Sequence, residues 1–475
     1  MMTISLWMSM SQADAATSPC RLPDFPQEVQ CGKVTRPLNP AQADGRQIDI
    51  HYAILPSQDK NKLPDPVFLF AGGPGQSAIN VAAWGQAAMA RLNRRRDLVF
   101  VDQRGTGRSA PLHCAELEDA ADTLTQEQMG ALSDTCLLRL QQLPYGDLRF
   151  FSTHIAVQDI EAVRRQQGYD KINLLGVSYG TRASLEYARQ FPASVRRMVL
   201  DGVVPPEMYL PAADAQRALD NLFSDCIQQA QCNAAYPQLA THWQHLLATL
   251  KHSPQPVSIA HPRLGSRWQL DMTHELLLGL VHKTLYAPLS VSGLPYAIMQ
   301  ADAGNYAPLL TLSGATSRAG PGGIAYGMHF SVWCSEAYAR SGMPAPADDF
   351  EKLSAAMYER SCRGWPRAEI PMAFFTIPRS RSPALLLSGG IDPVTPTRHA
   401  VAVGKALGSN ARLISIEQAG HGLLMQGCVR DVVYRFLNAK TDQDALQLDT
   451  SCVRQIPRPF AWQPPRTSVT KEVLP

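Results

Sequence analysis

The chain has 475 residues, more than one compact core of ordinary size accommodates, which indicates about two to three structural units. Hydrophobic residues make up 45% and charged residues 18%, a balance typical of a globular protein and not of a disordered one. The net charge of +3 is small and the basic residues are scattered, so we predict no nucleic-acid partner. No apolar run reaches the roughly 18 residues that would indicate a membrane span.

The first residues indicate export from the cytoplasm. Residues 1–16 contain a short apolar stretch followed by Ala13-Asp-Ala-Ala16, which resembles the cleavage site of an export signal, although no Lys or Arg precedes the stretch. The ten cysteines include no CxxC pair or Cys/His cluster, so we expect no metal. Their even number predicts disulfides between sequential neighbours, with free buried thiols as the alternative, and hence a periplasmic or secreted protein. The expected pairs are 20 with 31, 114 with 136, 226 with 232, 334 with 362 and 428 with 452.

Residues 17–205 alternate short buried strands with helical stretches. We predict strands at 65–70, 97–101, 171–175 and 197–200, with a helix over Arg182–Gln190 that ends at Phe191-Pro192. Strands separated by helices favour a mainly parallel α/β sheet with helices on both faces. Reactive groups in such sheets lie at the carboxyl ends of the strands.

Residues 206–378 show a different hydrophobic pattern, with helical periodicity over 212–226 and 274–286 and proline-rich breaks between the helical stretches. We therefore predict a mainly helical cap inserted here. Residues 379–475 return to the first pattern. They contain predicted strands at 383–387 and 412–416, a closing helix at 429–437, and a proline-rich tail after Pro457 that we expect to cross the surface.

The pentapeptide Gly176-Val-Ser-Tyr-Gly180 lies between a predicted strand and a predicted helix. A sharp strand-to-helix turn lifts the hydroxyl of its central residue, Ser178, above the sheet at a helix N-terminus, and the glycines allow the chains to pass closely. The alternative without a catalytic role is a glycine-flanked helix cap. We predict that Ser178 is a nucleophile.

A serine hydroxyl needs a base and an orienting carboxylate. His421 lies between two glycines after the last predicted strand, and Asp392 follows the strand before it, which gives the chain order Ser, Asp, His used by hydrolases of this architecture. We keep His113, His154 and His329 as distant alternatives for the base, and we assign Asp201 to a structural turn. The chemistry needs no cofactor.

An oxyanion formed during acyl transfer needs hydrogen-bond donors. The backbone N–H of Tyr179 is the first candidate. The second comes from the glycine-rich run at residues 71–75, with Gly73 preferred and Gly72 as the near alternative.

These motifs resemble the proline iminopeptidase and tripeptidyl aminopeptidase family of α/β-hydrolase exopeptidases. The likeness rests on Gly72-Gly-Pro-Gly75, Asp102-Gln-Arg-Gly-Thr-Gly-Arg-Ser109, Gly176-Val-Ser-Tyr-Gly-Thr181, and Asp392-Pro-Val-Thr-Pro396 with Gly420-His421. The family's usual His before Gly-Gly-Pro-Gly is Ala71 here, which weakens a strict preference for proline. The resemblance implies an α/β-hydrolase fold and the removal of residues from a free peptide N-terminus.

Exopeptidases of that kind anchor the substrate ammonium on an acidic group of the cap, and Glu336 is the candidate here, with a solvated helix face as the alternative. The sequence therefore predicts a serine aminopeptidase with peptides as substrates. An esterase, lipase or amidase with the same three residues is the alternative, and a binding module without activity is a third possibility that the intact set of residues argues against.

Overall fold

The computed structural model describes residues 17–23, 25–120, 124–260, 266–314, 323–338 and 345–465. The predicted export signal therefore lies outside the described residues. A nine-stranded sheet organises the chain, in the order β1-β2-β3-β5-β4-β6-β7-β10-β11. Its strands are β1 (Thr17–Arg21), β2 (Glu28–Pro37), β3 (Gln47–Leu55), β4 (Val67–Phe70), β5 (Leu98–Val101), β6 (Ile172–Val177), β7 (Val195–Asp201), β10 (Ala384–Gly389) and β11 (Ala411–Ile416).

The strands from β5 to β11 in the sheet order run parallel to one another, whereas β1, β2 and β3 pair antiparallel at one side. The helices of the sheet-bearing part are α1 (Ala82–Asn93), α2 (Ala115–Ala120), α3 (Gln126–Gln141), α4 (Thr153–Gln166), α5 (Tyr179–Gln190), α14 (Thr397–Leu407), α15 (Val429–Asn438) and α16 (Asp442–Leu446). The strand and helix positions predicted from the hydrophobic pattern are confirmed, with differences of a few residues at their ends.

Alternate side chains of the central strands point to opposite faces, because a strand has a period of two. Phe68 and Phe70 pack with α4 and α5 on one face, and Val67 and Leu69 pack with α1 and α15 on the other. The predicted mainly parallel sheet with helices on both faces is therefore confirmed.

A separate helical layer follows β7. It contains a two-stranded hairpin and has its own apolar core around Trp243. Its elements are α6 (Ala215–Gln228), α7 (Ala230–Ala235), α8 (Leu239–His252), β8 (Gln255–Ala260), β9 (Arg267–Met272), α9 (His274–Thr284), α10 (Pro288–Asp302) and α11 (Ala307–Leu312).

The two helices that follow divide between the two cores. Helix α12 (Tyr326–Glu336) packs in the core of the sheet, and α13 (Asp349–Cys362) contributes Phe350 to the cap and Tyr358 to the sheet core. Both lie within the predicted cap range 206–378. A helix that is apolar on all sides, such as α12, can fill either core, so its sequence pattern does not say which one. The boundaries of the cap stay a prediction.

Five disulfides join the ten cysteines, and the pairing is the predicted one between sequential neighbours. The free-thiol alternative is therefore wrong. In the described ranges, no helix has the length and apolar character needed to cross a membrane. The same ranges contain no group of three or more His, Cys, Asp or Glu residues placed to hold a metal ion.

The C-terminal tail leaves the sheet-bearing part and crosses onto the cap. The N–H of Trp462 donates to the carbonyl of Ser292 at 2.8 Å, and the Trp462 ring lies edge-on against Tyr296 at 4.8 Å between ring centres. Arg458 forms an ion pair with Asp225. The expectation that the tail crosses the surface is confirmed up to residue 465, where the described residues end.

Candidate active site

The turn between β6 and α5 holds Ser178 in an unusual backbone conformation. Ser178 has φ +55° and ψ −124°, a region that residues with a side chain adopt only when their surroundings impose it. The flanking glycines permit the turn: a Cβ on Gly180 would lie 1.9 Å from the carbonyl oxygen of Phe70, and one on Gly176 would lie 2.5 Å from that of Gly180. Strand, turn and helix together thus present the serine side chain at the carboxyl end of β6.

His421 lies on the loop after β11 and is held from two sides. Its Nδ1 is 2.8 Å from Oδ2 of Asp392, and its backbone N–H donates to the carbonyl of Tyr286 in the cap at 2.8 Å. Because a carboxylate only accepts hydrogen bonds, Nδ1 carries the proton and Nε2 keeps its lone pair. The His421 side chain is 12% exposed, so the imidazole is not fully enclosed. The tautomer with its proton on Nδ1 is the one that a general base requires.

Asp392 follows β10 and is almost fully buried. The backbone N–H groups of Val394 and Thr395 each donate to its Oδ1 at 2.8 Å, and the Thr395 hydroxyl donates to its Oδ2 at 2.5 Å. Burial is the largest influence on the pKa of both Asp392 and His421 and opposes their charged forms, but their mutual attraction and hydrogen bonds outweigh it. The pKa of Asp392 is therefore lowered and the pKa of His421 is raised from their ordinary values.

Ser178 and His421 each lie close to the end of β7, the strand between β6 and β10. The N–H of Ser178 donates to the carbonyl of Asp201 at 2.8 Å, and a Cβ on the next residue, Gly202, would lie 3.2 Å from Cε1 of His421. Among the described residues, the imidazole bonds to Asp392 and Thr395, and no hydrogen bond joins it to Ser178. Such a bond commonly tightens only when substrate is bound.

Asp201 has the structural position that we predicted from the sequence. Its carboxylate accepts the backbone N–H groups of Leu423 and Leu424 at 2.8–2.9 Å, which anchors the loop directly after His421. Burial raises the pKa of Asp201 to about 6.

The glycine-rich run reaches the serine. A Cβ on Gly72 would lie 3.5 Å from the Cβ of Ser178. However, the N–H of Gly72 already donates to Oε1 of Gln76 at 3.1 Å, which argues against Gly72 as an oxyanion donor. Gly73 (φ +107°) and Tyr179 remain as candidates for the oxyanion donors, and the N–H of Tyr179 lacks an intrahelical acceptor because Tyr179 is the first residue of α5.

Glu336 lies in the protein interior. Its side chain is 0% exposed, and its two carboxylate oxygens accept the backbone N–H and the hydroxyl of Thr153 at 2.6 and 2.9 Å. The prediction that Glu336 binds the substrate ammonium conflicts with this placement. Glu336 is the last residue of α12 and is buried. Its apolar neighbours in the sequence indicated apolar surroundings but did not show whether its side chain faces the substrate or the core.

The three reserve histidines have other partners. His113 pairs with Glu118, His154 with Glu186, and His329 with the carbonyl of Pro74.

Two further residues at the site, Thr395 and Tyr286, were not predicted from the sequence. Thr395 could have been found as a hydroxyl three residues after Asp392, whereas Tyr286 carries no local signal because only the fold brings the cap to the His421 loop. The Tyr286 ring lies edge-on to the imidazole, with 5.1 Å between ring centres.

A protein-family model described as the alpha/beta hydrolase fold matches residues 65–427. A tripeptidyl aminopeptidase of Streptomyces lividans is 26% identical over 486 residues, which cover 92% of this chain and 86% of that one. The serine protease Hip1 of Mycobacterium tuberculosis is 30% identical over 52% of this chain and 51% of its own. A proline iminopeptidase of Aeromonas sobria is 32% identical over 44% of this chain and 46% of its own. Because the family model spans more than half of its length, the chain belongs to the α/β-hydrolase fold family.

Proposed function

We propose that this protein is a serine peptidase that removes residues from the free N-terminus of peptides, with Ser178 as nucleophile, His421 as base and Asp392 as the group that orients the base. The observation that carries the proposal is the 2.8 Å contact between His421 Nδ1 and the buried Asp392, at the strand edge that presents Ser178. The pattern of relatives supports a peptidase, since the chain is similar over 92% of its length to a tripeptidyl aminopeptidase.

In the proposed cycle, Nε2 of His421 takes the proton of the Ser178 hydroxyl as the oxygen attacks the scissile carbonyl. The N–H groups of Tyr179 and Gly73 stabilise the oxyanion that forms. The imidazolium then protonates the leaving amine, and water activated by the neutral imidazole releases the acyl group from the serine. The raised pKa of His421 makes it the stronger base in this exchange. No step requires a cofactor.

We propose that the protein acts in the periplasm or outside the cell. Five disulfides within one chain support this, because disulfides form and persist in oxidising compartments.

The alternative is an esterase or amidase without selection for a free amine. The burial of Glu336 favours it, because the cap carboxylate predicted to anchor the ammonium is occupied by Thr153. A peptidase of the proposed kind would then need another acidic group to distinguish free from blocked N-termini.

A substrate series tests the proposal. The wild type and Ser178→Ala are assayed on a tripeptidyl p-nitroanilide with a free amine, on its N-acetylated analogue, and on p-nitrophenyl butyrate. We expect the free-amine amide to be cleaved at least about tenfold faster than the blocked one. In Ser178→Ala, we expect the activity to fall to a residual rate about 10³-fold above the uncatalysed rate, which substrate binding and the oxyanion donors still supply. Equal rates on both amides would favour the alternative, and a near-normal rate in Ser178→Ala would refute both.

A further inference from the structure

The residue after the nucleophile is attached to the interior of the protein by a chain of buried polar groups. The Tyr179 side chain is 2% exposed, and its hydroxyl oxygen lies 2.6 Å from Oγ1 of Thr153 and 3.2 Å from Oε1 of Gln103. The Thr153 hydroxyl in turn donates to Oε2 of Glu336, and the Thr153 N–H donates to Oε1. Tyr179 is therefore fixed at its far end, whereas its own N–H lies at the first turn of α5 beside Ser178.

These polar groups are costly in such a place. Glu336 and Thr153 are fully buried, and burial raises the pKa of Glu336 to about 7 although the guanidinium of Arg182 lies 3.9 Å away. Apolar side chains of the same volume would fill this space without the desolvation penalty. What the polar chain supplies instead is direction, because hydrogen bonds fix the orientation of a side chain more narrowly than apolar contacts do.

The helix that carries Glu336 also holds the glycine-rich run. At the start of α12, the N–H of Ala325 donates to the carbonyl of Gly75 at 3.0 Å, and Nδ1 of His329 donates to the carbonyl of Pro74 at 3.1 Å. A disulfide between Cys334 and Cys362 fastens the other end of α12 to α13. One helix thus contacts the supports of both candidate oxyanion donors.

We propose that Thr153 and Glu336 are positioning residues that, through the Tyr179 phenol, hold the Tyr179 N–H in line with the oxyanion. Helix α12 couples this donor to the one on the glycine-rich run. The inference rests on the acyl chemistry of the proposed function and does not depend on whether the acyl group comes from a peptide or an ester.

The first test separates the hydroxyl of Thr153 from its shape. Thr153→Val keeps the volume and the backbone N–H bond to Glu336 but removes the hydroxyl that contacts both Tyr179 and Oε2 of Glu336, whereas Thr153→Ser keeps the hydroxyl. We expect Thr153→Val to lower kcat on p-nitrophenyl butyrate about 10- to 30-fold with KM unchanged, less than the roughly 10²–10³-fold loss for removal of a whole oxyanion donor. Thr153→Ser is expected to remain within about twofold of wild type, because it keeps the hydroxyl and with it both contacts. The labelling rate with a fluorophosphonate probe should follow kcat.

The second test uses two tyrosines of the same helix. Tyr187 is as buried as Tyr179 and donates its hydroxyl to Oε2 of Glu161 at 2.8 Å, but it lies eight residues further along α5. Tyr179→Phe and Tyr187→Phe therefore each remove one buried phenol hydroxyl that belongs to a hydrogen-bond network ending on a carboxylate. We expect similar losses of thermal stability in both, and slower esterolysis and labelling only in Tyr179→Phe.

The results of these two tests decide whether Thr153 and Glu336 position the Tyr179 N–H. Rates within twofold of wild type in both Thr153→Val and Tyr179→Phe, an equal loss in Tyr187→Phe, or no rescue by Thr153→Ser would overturn the inference. If Thr153→Val does not fold, the tyrosine pair decides. Loss of labelling in Ser178→Ala, together with equal cleavage of the free-amine and N-acetylated amides by the wild type, would contradict the aminopeptidase proposal but leave this inference standing. Labelling that persists in Ser178→Ala would remove the nucleophile on which both depend.

Discussion

Asp392→Asn tests the carboxylate most directly, because the surrounding loop dictates how the new amide must sit. The N–H groups of Val394 and Thr395 both point at the Oδ1 position from 2.8 Å, so the amide oxygen takes that place. The amide NH₂ then faces Nδ1 of His421 and donates to it. The imidazole is forced into the tautomer with its proton on Nε2, which cannot accept a proton from Ser178.

The expected loss follows from this tautomer. We expect kcat to fall by about 10⁴-fold, equivalent to about 5 kcal/mol of transition-state stabilisation, with KM little changed. The assay is p-nitrophenyl butyrate hydrolysis, with circular dichroism to confirm folding. Asp65→Asn is the matched control: Asp65 is also a buried, paired carboxylate, but it precedes β4 at the opposite edge of the sheet. It should lower stability and leave kcat unchanged. A loss below about tenfold in Asp392→Asn would refute the role assigned to the carboxylate.

Three further outcomes are expected. Since the base must be neutral and the pKa of His421 is raised, kcat/KM should increase with pH through an apparent pKa above 6.5; a midpoint below 6.5 would contradict the ion pair. Gly180→Ala would place a methyl 1.9 Å from the carbonyl oxygen of Phe70, so urea denaturation should show a loss of about 3 kcal/mol or more, and wild-type stability would disprove the close approach. Burial lowers the pKa of His329 to about 4, so as the pH falls below 6.5 this histidine is protonated in the unfolded chain before it is protonated in the folded one. Relative to His329→Gln, the wild type should therefore lose up to about 2 kcal/mol of unfolding free energy between pH 7 and 4.5. Parallel plots of unfolding free energy against pH for the two proteins would refute a neutral His329.

The sequence was sufficient for the parts of the fold that local patterns determine. Buried strands such as β4 and β6 are short apolar runs that end at glycine, and the turn at Ser178 needs small residues at fixed offsets. Because parallel strands share one carboxyl edge, the order of the motifs also predicted that Asp392 and His421 would meet. The five disulfides followed from sequential pairing.

Contacts between distant segments could not be predicted in this way. The oxygens of Glu336 bond to Thr153, which lies 183 residues earlier, and no local pattern links the two. The side chain of Gln76 occupies the N–H of Gly72 only because the loop folds back on itself. Helix α12 has an apolar sequence that fits a cap as well as a core, so only three-dimensional packing decides where it lies.

The path of the C-terminal tail limits how modular the cap is. Caps of this kind are inserted between two points of the chain, and a chimera is normally designed by exchanging the segment between them. Here Trp462 and Arg458, which come after the last helix of the sheet-bearing part, bind to α10 and α6 of the cap. A transplanted cap would leave these tail residues without their docking partners, so a working exchange would have to transfer the tail together with the insert.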